Sequence, residues 1–490
     1  MLQVLWGVGG MVLLLGIAWL LSVDRRRIRL RTVSLALLLQ VAFGIVVLYV
    51  PAGQQALTTL TRGVQAVIDS SAAGIDFLFG AILPDEGTVF AFQVLPVIVF
   101  FASLTAVLYY VGLLQLVTRW IGGALAAVLG TERAESMNAA ANIFVGQTEA
   151  PLVIRPYIKA MSPSEIFAVM AGGLTTVAGS VLVGYSLLGA NLEYLIAASF
   201  MAAPAGLLMA KILVPAGALA DIGPNAEQRA PREAPAARED EATAGTVDRP
   251  SGGGEDRRGV GARLAGAFRR GSRRGATHEG KDELVRRARS RDVPVGGERG
   301  IDAKGQDDPG DTQDPDEEPP ANVIDAASRG ASDGLQLALN VGAMLLAFIS
   351  LIALANIILG AVGGLFGNAD LTVEEILGYV FAPVMAAVGV PLPEAVDAGS
   401  YLGQKVILNE FVAFSSFGPE AAEFSDKAQA IITFALTGFA NLGSLAILLG
   451  GLGGIAPTQR SVIAKLGLRA VLAGTLGNLM SAAIAGILIG

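Results

Sequence analysis

Long apolar segments alternate with short polar ones along most of the chain. A helix needs about 20 mainly apolar residues to cross a bilayer, and somewhat more when it is tilted. Eight segments satisfy this requirement, and the pattern therefore predicts an all-α integral membrane protein with about eight transmembrane helices. The predicted spans are Leu2–Ser22, Ser34–Val50, Phe92–Val117, Ile166–Tyr185, Leu192–Ala218, Leu335–Gly360, Ala428–Gly450 and Leu466–Ile489.

Two further segments are helical in pattern but too polar to cross. Ala56–Leu83 carries Arg62, Asp69 and Asp76 among its apolar residues. A helix with one charged and one apolar face lies in the membrane interface rather than across it. We therefore interpret this segment, and also Leu371–Val388, as interfacial amphipathic helices.

Asn138–Ala160 is too short and too polar to cross the membrane completely, and Pro391–Ser416 carries Lys405, Asn409 and Glu410. Irregular backbone at membrane depth is tolerated where it lines a cavity, which favours a re-entrant hairpin for each segment. The order hairpin, span, span occurs at 138–218 and again at 391–489. One span separates the two units, so they enter from opposite faces. The sequence thus predicts an inverted repeat, an architecture common among secondary transporters.

Two polar clusters interrupt the apolar pattern. Gln147 and Glu149 lie in the first predicted hairpin, and Asn409 and Glu410 lie in the second. An ionised side chain at the bilayer centre costs roughly 2.5–3.5 kcal/mol on insertion scales, so it normally faces a cavity or a partner. Because each half supplies one cluster, we predict a polar binding site near the membrane midplane, as in a transporter.

The clusters suit a neutral, hydroxyl-rich solute. Carboxylates accept hydrogen bonds from sugar hydroxyls, carboxamides pair with an amide-like edge, and two carboxylates repel a phosphate. Phe439 offers a stacking surface to a planar base, with simple helix packing as the alternative. From the residues alone, a sugar and a nucleoside both remain open.

Each candidate also has a structural interpretation. Glu149 and Glu410 pair in that case with Arg155 or Lys405 and only hold the fold together. The hydroxyl groups in the spans that follow the hairpins bond backbone carbonyls of their own helices. These hydroxyl groups belong to Thr176, Ser180 and Ser444.

Composition changes sharply at about 224–333. By count, 19 of the chain's 35 Lys and Arg residues fall between Arg229 and Arg329, together with many acids, prolines and glycines. Such a mixture has too little apolar surface to offset chain entropy, which predicts disorder. The positive-inside rule places this loop and the cluster at Arg25–Arg31 in the cytoplasm, with the N-terminus outside.

The domain organisation follows from these segments. We predict N-terminal scaffold spans with an interfacial helix at 1–137, the first part of a transport domain at 138–220, a disordered cytoplasmic loop at 221–333, a scaffold span at 334–370 and the second part of the transport domain at 371–490.

The chain has no Cys and one His, His278 in the polar loop. Disulfides and thiolate metal sites are therefore excluded, and a His-based relay within the membrane cannot be built. Two other function classes stay open at this point. One is a membrane-embedded lipid-modifying enzyme that uses the acids near Asp314–Glu318, and the other is a passive channel.

Five ordered segments resemble those of the concentrative nucleoside transporters. The first hairpin motif is similar to the run 146–157 (GQTEAPLVIRPY), and the second signature is similar to 403–414 (GQKVILNEFVAF). Shorter matches follow the same order along the chain. They are 90–96 (FAFQVLP), 376–383 (ILGYVFAP) and 438–441 (GFAN).

The resemblance implies a homotrimer in the plasma membrane that takes up nucleosides with a cation, Na⁺ being favoured over H⁺, and that uses no other cofactor and no nucleic acid. By position, the residues that would contact the base are Gln147, Thr148 and Glu149; those that would contact the ribose are Glu410, Asn441 and Ser444; and those that would line the pocket are Val181 and Phe439. The cation site of sodium-coupled members would fall on Asn142, Val145, Thr176 and Val177. Backbone carbonyls, Asn and Thr are oxygen ligands that suit a hard cation.

Overall fold

The computed structural model describes residues 2–84, 89–219, 222 and 320–489. These residues fall within one unit of the chain, Met1–Ala230 together with Pro309–Gly490. Most of the predicted disordered loop at 221–333 lies outside the described residues. Every regular element in the described part of the chain is helical.

The first half contains eleven α-helices, with short 3₁₀ turns at Arg25–Arg27, Gly80–Ile82 and Ala150–Ile154 and a π-helical turn at Phe90–Val94. The α-helices are α1 Leu2–Leu20, α2 Leu30–Leu48, α3 Pro51–Ser70, α4 Ala72–Phe79, α5 Leu95–Tyr110, α6 Leu113–Leu129, α7 Arg133–Ala141, α8 Arg155–Ile158, α9 Pro163–Thr175, α10 Gly179–Leu187 and α11 Leu192–Leu213.

The second half contains seven, with 3₁₀ turns at Leu392–Glu394, Ala421–Glu423 and Pro457–Gln459. The α-helices are α12 Val323–Gly364, α13 Val373–Ala387, α14 Ala395–Ile407, α15 Glu410–Glu420, α16 Asp426–Leu436, α17 Leu442–Ile455 and α18 Arg460–Ile489.

Six helical segments in the described part of the chain are long and apolar enough to cross a membrane. They correspond to six of the eight predicted spans. The other two predicted spans fall on α1, whose apolar run is Val4–Leu20, and on the pair α16 and α17; the apolar helices there have fewer than 18 residues each. The six are Leu30–Leu48, Phe90–Tyr110, Pro163–Leu187, Leu192–Leu213, Val323–Gly364 and Pro457–Ile489.

Two predicted spans are broken in the middle. The span predicted at Ile166–Tyr185 forms α9 and α10, with 176–178 unwound between them, and the span predicted at Ala428–Gly450 forms α16 and α17, with 437–441 unwound. The second break ends at Asn441, whose Oδ1 accepts from Ser444 N at 2.7 Å and so caps α17. We call the two unwound segments the first break and the second break.

The span predicted at Phe92–Val117 is wrong in its last seven residues, 111–117. Helix α5 ends at Tyr110, and Gly112 adopts a left-handed conformation with φ +81° that turns the chain. Glycine takes this conformation without the steric cost of a Cβ. A new helix, α6, then runs to Leu129, where the sequence pattern predicted none.

Residues 323–333, predicted to belong to the disordered loop, are helical and begin α12. The Asn322 side chain caps this helix, because its Oδ1 accepts from Ile324 N at 2.9 Å and from Asp325 N at 3.0 Å. Arg329 and Asp325 form an ion pair at 2.9 Å one turn into the helix. An N-cap Asn followed by an acid in the first turn is a helix-start signal that composition alone concealed.

Contacts between chain segments define two ends of the helix bundle. At one end the arginine-rich turn after α1 meets the end of α11, the start of α9 and the turn before α18. The bonds there are Val23 N to Leu213 O (3.0 Å), Ser164 Oγ to Val214 O (2.8 Å) and Gln459 Nε2 to Met161 O (2.9 Å). Helix α7 starts at this end, where Glu135 pairs with Lys211 at 2.5 Å.

At the other end the start of α1 meets the end of α13, and the turn between α13 and α14 meets the turn between α15 and α16. Trp6 Nε1 donates to Ala386 O at 2.6 Å, and Ser425 Oγ bonds Glu394 Oε2 at 2.9 Å. The helical pair α7–α8 therefore has its base at one end of the bundle, and the pair α14–α15 has its base at the other.

Candidate functional site

The turn of each helical pair is called its tip: the first tip is 142–149, between α7 and the turn before α8, and the second tip is 408–410, between α14 and α15. A cavity of about 690 Å³ lies where these two tips meet the two breaks, with α5 and α12 forming the facing wall. All eight residues predicted to contact a nucleoside line this one cavity. They come from four segments far apart in sequence: Gln147, Thr148 and Glu149 from the first tip, Val181 from α10, Glu410 from the second tip, and Phe439, Asn441 and Ser444 from the second break and the start of α17.

Helix starts surround the cavity. Asn409 caps α15, because its Oδ1 accepts from Val412 N at 2.9 Å, and Asn441 caps α17 in the same way. Helix α10 begins at Gly179, beside the first break. The amino-terminal end of a helix carries a partial positive charge, which stabilises a carboxylate or another acceptor placed there. Glu410 occupies this position as the first residue of α15.

The Glu410 carboxylate is held from two sides. Tyr185 Oη donates to Oε1 at 2.9 Å, and Asn441 Nδ2 donates to Oε2 at 2.7 Å. The Tyr185 ring is itself fixed between Phe414, stacked at 4.4 Å, and Phe411, edge-on at 4.8 Å. Each carboxylate oxygen keeps further lone pairs, so the group can accept from solute hydroxyls in one defined orientation.

In the structural interpretation of Glu410, its carboxylate pairs with a cation such as Lys405 and only holds the fold together. The Lys405 ammonium donates to Ala435 O at 2.7 Å and to Asn478 Oδ1 at 2.8 Å, and the Glu410 carboxylate bonds Tyr185 and Asn441. The two charged groups thus have separate hydrogen-bond partners. The interpretation of Thr176 as a helix-bonded hydroxyl has direct support, since its Oγ1 donates to Gly172 O at 3.0 Å.

The first tip presents polar atoms of both kinds. Glu149 is exposed to the cavity, and a Cβ added to Gly146 would collide with its Oε2. Gln147 is buried; its Nε2 lies 3.5 Å from Ser444 O, and its Oε1 has no hydrogen-bond partner among the described residues. A buried acceptor without a partner is costly, so this oxygen is placed to receive an N–H or O–H from a bound solute.

Thr148 joins the first tip to α17. A Cβ added to Gly451 would lie 2.9 Å from Thr148 Cγ2, so the close approach requires a glycine there. Val181 is buried at the cavity wall, and Phe439 is half-buried, with its ring at the cavity. These two side chains provide apolar surface next to the polar groups.

The four residues predicted to hold a cation lie at the first tip and the first break, and only Val145 reaches the cavity. Asn142 is fully buried; its Nδ2 donates to Asn138 O at 2.9 Å, and its Oδ1 has no hydrogen-bond partner among the described residues. Thr176 and Val177 form the first break, where regular backbone bonding is interrupted. Buried oxygens of this kind suit Na⁺, and the residues therefore fit the predicted cation.

Sequence reasoning missed Tyr185, Asn478 and the wall formed by α5 and α12. Tyr185 lies 225 residues from its partner Glu410, so spacing gave no sign of their contact. The one sequence feature that could have pointed to Tyr185 was its hydroxyl group at the end of an apolar span. Asn478 carried a comparable signal, as a lone carboxamide in the last predicted span.

Comparison with sequence models of protein families gives three matches. The model described as the C-terminus of the Na⁺ dependent nucleoside transporter matches residues 293–486, and its N-terminal counterpart matches residues 9–82. A third model, described as a nucleoside-recognition gate, matches residues 91–191. The chain belongs to the concentrative nucleoside transporter family. Family membership makes it a membrane transporter and not an enzyme, which removes the lipid-modifying alternative.

Full-length relatives support the assignment. The chain is 46% identical over 489 residues to the uncharacterized transporter YutK of Bacillus subtilis, covering 100% of both chains. It is 42% identical over 498 residues to the nucleoside permease NupC of Helicobacter pylori, covering 99% of this chain and 98% of that one. Human solute carrier family 28 member 3 is 31% identical over 501 residues, which cover 99% of this chain and 60% of the human protein.

Solved structures share the fold of this family member. CNTnw in an inward-facing, substrate-bound state has a TM-score of 0.77 and 46% identity, covering 99% of this chain and 98% of that one. A CNTnw variant in an outward-facing state also has a TM-score of 0.77, with 45% identity and coverage of 100% and 98%. By TM-score, the fold is therefore equally similar to the inward-facing and to the outward-facing structure.

Replacing Tyr185 by phenylalanine is expected to weaken nucleoside binding by about tenfold. The ring stacking is kept, but Glu410 loses one hydrogen bond. A hydrogen bond to a charged group contributes about 1.5–3 kcal/mol, and its loss weakens binding accordingly. Calorimetric titration of the purified transporter with uridine measures the change. Tyr49→Phe, which alters an exposed tyrosine after α2, is the matched control and should bind as the wild type does. Unchanged affinity in Tyr185→Phe would show that this hydroxyl does not position the carboxylate.

Proposed function

We propose that the protein takes up nucleosides across the plasma membrane by alternating access, driven by a Na⁺ gradient, and that it works as a homotrimer. The observation that carries the proposal is the convergence of eight residues from four distant segments on one cavity. These eight residues bring two glutamates, two carboxamides, two hydroxyls, one aromatic ring and one valine to the cavity. This is the set that a neutral sugar-bearing base requires.

The proposed residue roles follow the chemistry of each group. Gln147, whose buried Oε1 has no hydrogen-bond partner within the described ranges, contacts the base together with Thr148 and Glu149. Glu410 accepts hydrogen bonds from ribose hydroxyls, and the Ser444 hydroxyl completes that end of the site.

Asn441 acts mainly through Glu410. Its Oδ1 caps α17 and its Nδ2 donates to the carboxylate, which leaves one Nδ2 hydrogen for the ribose. Val181 and Phe439 supply the apolar surface against which the base packs.

The proposed cation site uses Asn142 Oδ1 and oxygens of Val145, Thr176 and Val177. Support comes from the fully buried Asn142 oxygen, which has no hydrogen-bond partner in the part of the chain that the structure describes, and from the interrupted backbone of the first break. A cation held there would bind the first tip to the first break and so stabilise the wall that carries Gln147 and Glu149.

The proposed topology has two re-entrant hairpins inserted from opposite faces, formed by α7–α8 and by α14–α15. Support comes from their bases, which lie at opposite ends of the helix bundle. The arginine-rich turn after α1 contacts the end of α11 through Val23 N and Leu213 O, so the chain segments that follow α1 and α11 lie at the same end. By the positive-inside rule this end is cytoplasmic, which puts the N-terminus outside.

Uridine uptake into proteoliposomes tests the proposal. An inward Na⁺ gradient should accumulate uridine above its external concentration, whereas a pH gradient at equal Na⁺ should add little. Uridine accumulation driven by the pH gradient alone would contradict Na⁺ coupling. It would favour the proton-coupled alternative, in which Glu149 or Glu410 titrates. Equilibration without accumulation under either gradient would contradict coupled transport and identify a passive channel.

A further inference from the structure

Each helical pair places one buried polar residue against a helix that ends at a break. The first of these residues, Asn142, offers a hydrogen-bond acceptor, and the second, Lys405, offers a donor. Asn142 lies against the last turn of α9, since a Cβ added to Gly173 would be 3.8 Å from its Oδ1. Lys405 reaches the last turn of α16, where its Nζ donates to Ala435 O at 2.7 Å. We call the contact of Asn142 with α9 the first junction and the contact of Lys405 with α16 the second junction. The first junction presents an oxygen without a hydrogen-bond partner among the described residues, whereas the second is filled by the Lys405 Nζ.

The Lys405 side chain is fully buried, and hydrogen-bond acceptors surround its Nζ. Its Nζ also donates to Asn478 Oδ1 at 2.8 Å, and Glu410 interacts with it electrostatically. The carboxyl end of α16 adds the negative end of a helix dipole. The Lys405 Nζ therefore fills the second junction, whereas the proposed exchangeable cation would occupy the first.

Asn478, in the middle of α18, joins the end of α9, directly before the first break, to the second break. Its Nδ2 donates to Thr175 O, the last residue of α9, and to Thr437 O, at the start of the second break, both at 2.7 Å. The three segments meet so closely that a Cβ on Gly438 would collide with the Asn478 side chain and with Thr175 O. One carboxamide thus bonds the end of α9, the second break and the Lys405 Nζ.

A second link runs parallel to the first. Phe439 N, in the second break, donates to Thr176 O, in the first break, at 3.1 Å. Thr176 belongs to the proposed cation site, whereas Phe439 lines the nucleoside cavity. The backbone of the first break is therefore bonded directly to a residue of the cavity wall.

We propose that Lys405 and Asn478 are positioning residues that couple the cation site at the first break to the nucleoside site at the second. The proposal rests on the cation-coupled function proposed above. A cation that orders the first break fixes Thr175, and Asn478 then fixes Thr437 and the wall residues that follow it. Lys405 holds the Asn478 oxygen so that both Nδ2 hydrogens point at the breaks.

The decisive variant is Asn478→Asp in the full-length protein. It keeps an acceptor for the Lys405 ammonium, but replaces the donor Nδ2 group with its two hydrogens by one oxygen, which repels the Thr175 and Thr437 carbonyls. The measurement is the uridine Kd by calorimetry, in NaCl and in choline chloride at one pH. We expect the wild-type Kd to be at least about tenfold lower in NaCl, within the roughly 5- to 150-fold range of coupled sites, and the ratio in Asn478→Asp to fall towards 1.

Two further variants separate coupling from folding. Lys405→Met keeps the side-chain length without the ammonium and should lower the ratio in the same way, so it carries the test where Asn478→Asp does not fold. Ser481→Ala is the control: this buried residue lies one turn further along α18 and bonds Gln40 at 2.8 Å instead of a break. It should keep the wild-type ratio.

The outcomes distinguish the two proposals. A wild-type ratio well above 1 that both Asn478→Asp and Lys405→Met retain would overturn the coupling role and leave Na⁺ coupling intact. A ratio near 1 in the wild-type protein itself would overturn Na⁺ coupling and, with it, the inference about Lys405 and Asn478.

Discussion

Glu410→Gln is expected to abolish most nucleoside uptake, with affinity reduced by about 10- to 100-fold. The carboxylate accepts from Tyr185 and from Asn441 at once, and a carboxamide offers an acceptor on one side only. Its amide nitrogen would face a second donor, or would turn away from the cavity, and the ribose hydroxyls would lose their acceptor. Uridine uptake and calorimetric binding in the same preparation measure the effect.

The matched control for this substitution is Glu423→Gln, which alters an exposed glutamate just after α15. It should transport as the wild type does. Thermal melting of the Glu410→Gln protein should stay close to the wild-type curve. A misfolded Glu410→Gln protein would instead support a purely structural role for this carboxylate. Glu149→Gln should reduce uptake similarly, because it removes a charged acceptor from the opposite side of the cavity.

The second large effect is expected at the cation site. Asn142→Ala removes the buried oxygen that has no partner among the described residues, and uridine uptake should lose its dependence on Na⁺. Uptake at saturating Na⁺ should fall by about 10- to 100-fold, because the nucleoside site of the variant keeps only the affinity for uridine that it has without a bound cation. Uptake measured over a series of Na⁺ concentrations tests this result.

Asn142→Asp serves as the rescue variant in that experiment. It keeps an oxygen at the same position and should retain Na⁺-dependent uptake, although with an altered apparent affinity for the cation. Full Na⁺ stimulation in Asn142→Ala would contradict the assignment of this residue. Loss of Na⁺ stimulation in both variants, with unchanged uridine binding, would show that the carboxamide itself and not its oxygen is required.

Much of the fold could be predicted because the bilayer imposes simple rules on sequence. Apolar length identified the helical membrane class, and polar residues inside apolar context identified both helical pairs. A polar side chain such as Glu410 is expensive in a membrane, so its presence alone points to a cavity. The eight residues named from the motifs lie around one cavity, and their individual roles stay predictions.

The details that could not be predicted depend on contacts between distant segments. The break at 437–441 is stabilised by Asn478, which lies 41 residues from Thr437 and 303 residues from Thr175. No local signal contains that pairing. Helix α6 was hidden for a different reason: a glycine turn at Gly112 joined two apolar helices into what hydropathy treats as one long span.

The loop boundary shows the limit of arguments from composition. Residues 323–333 share the polar character of the preceding segment, yet they are helical because Asn322 caps the helix and the following turns pack along α5. Small residues make this contact close, since a Cβ added to Gly330 would lie 2.5 Å from Ala106 Cβ. Capping and packing thus decide a boundary that charge content placed eleven residues too late.

An experimental structure of the purified protein with bound uridine and Na⁺ tests the central claim most directly. We expect the nucleoside in the cavity between the two tips, with its base against Gln147 and Glu149, its ribose hydroxyls on Glu410 and Ser444, and a cation beside Asn142. Uridine bound outside this cavity, or Glu149 and Glu410 both directed away from it, would contradict the account.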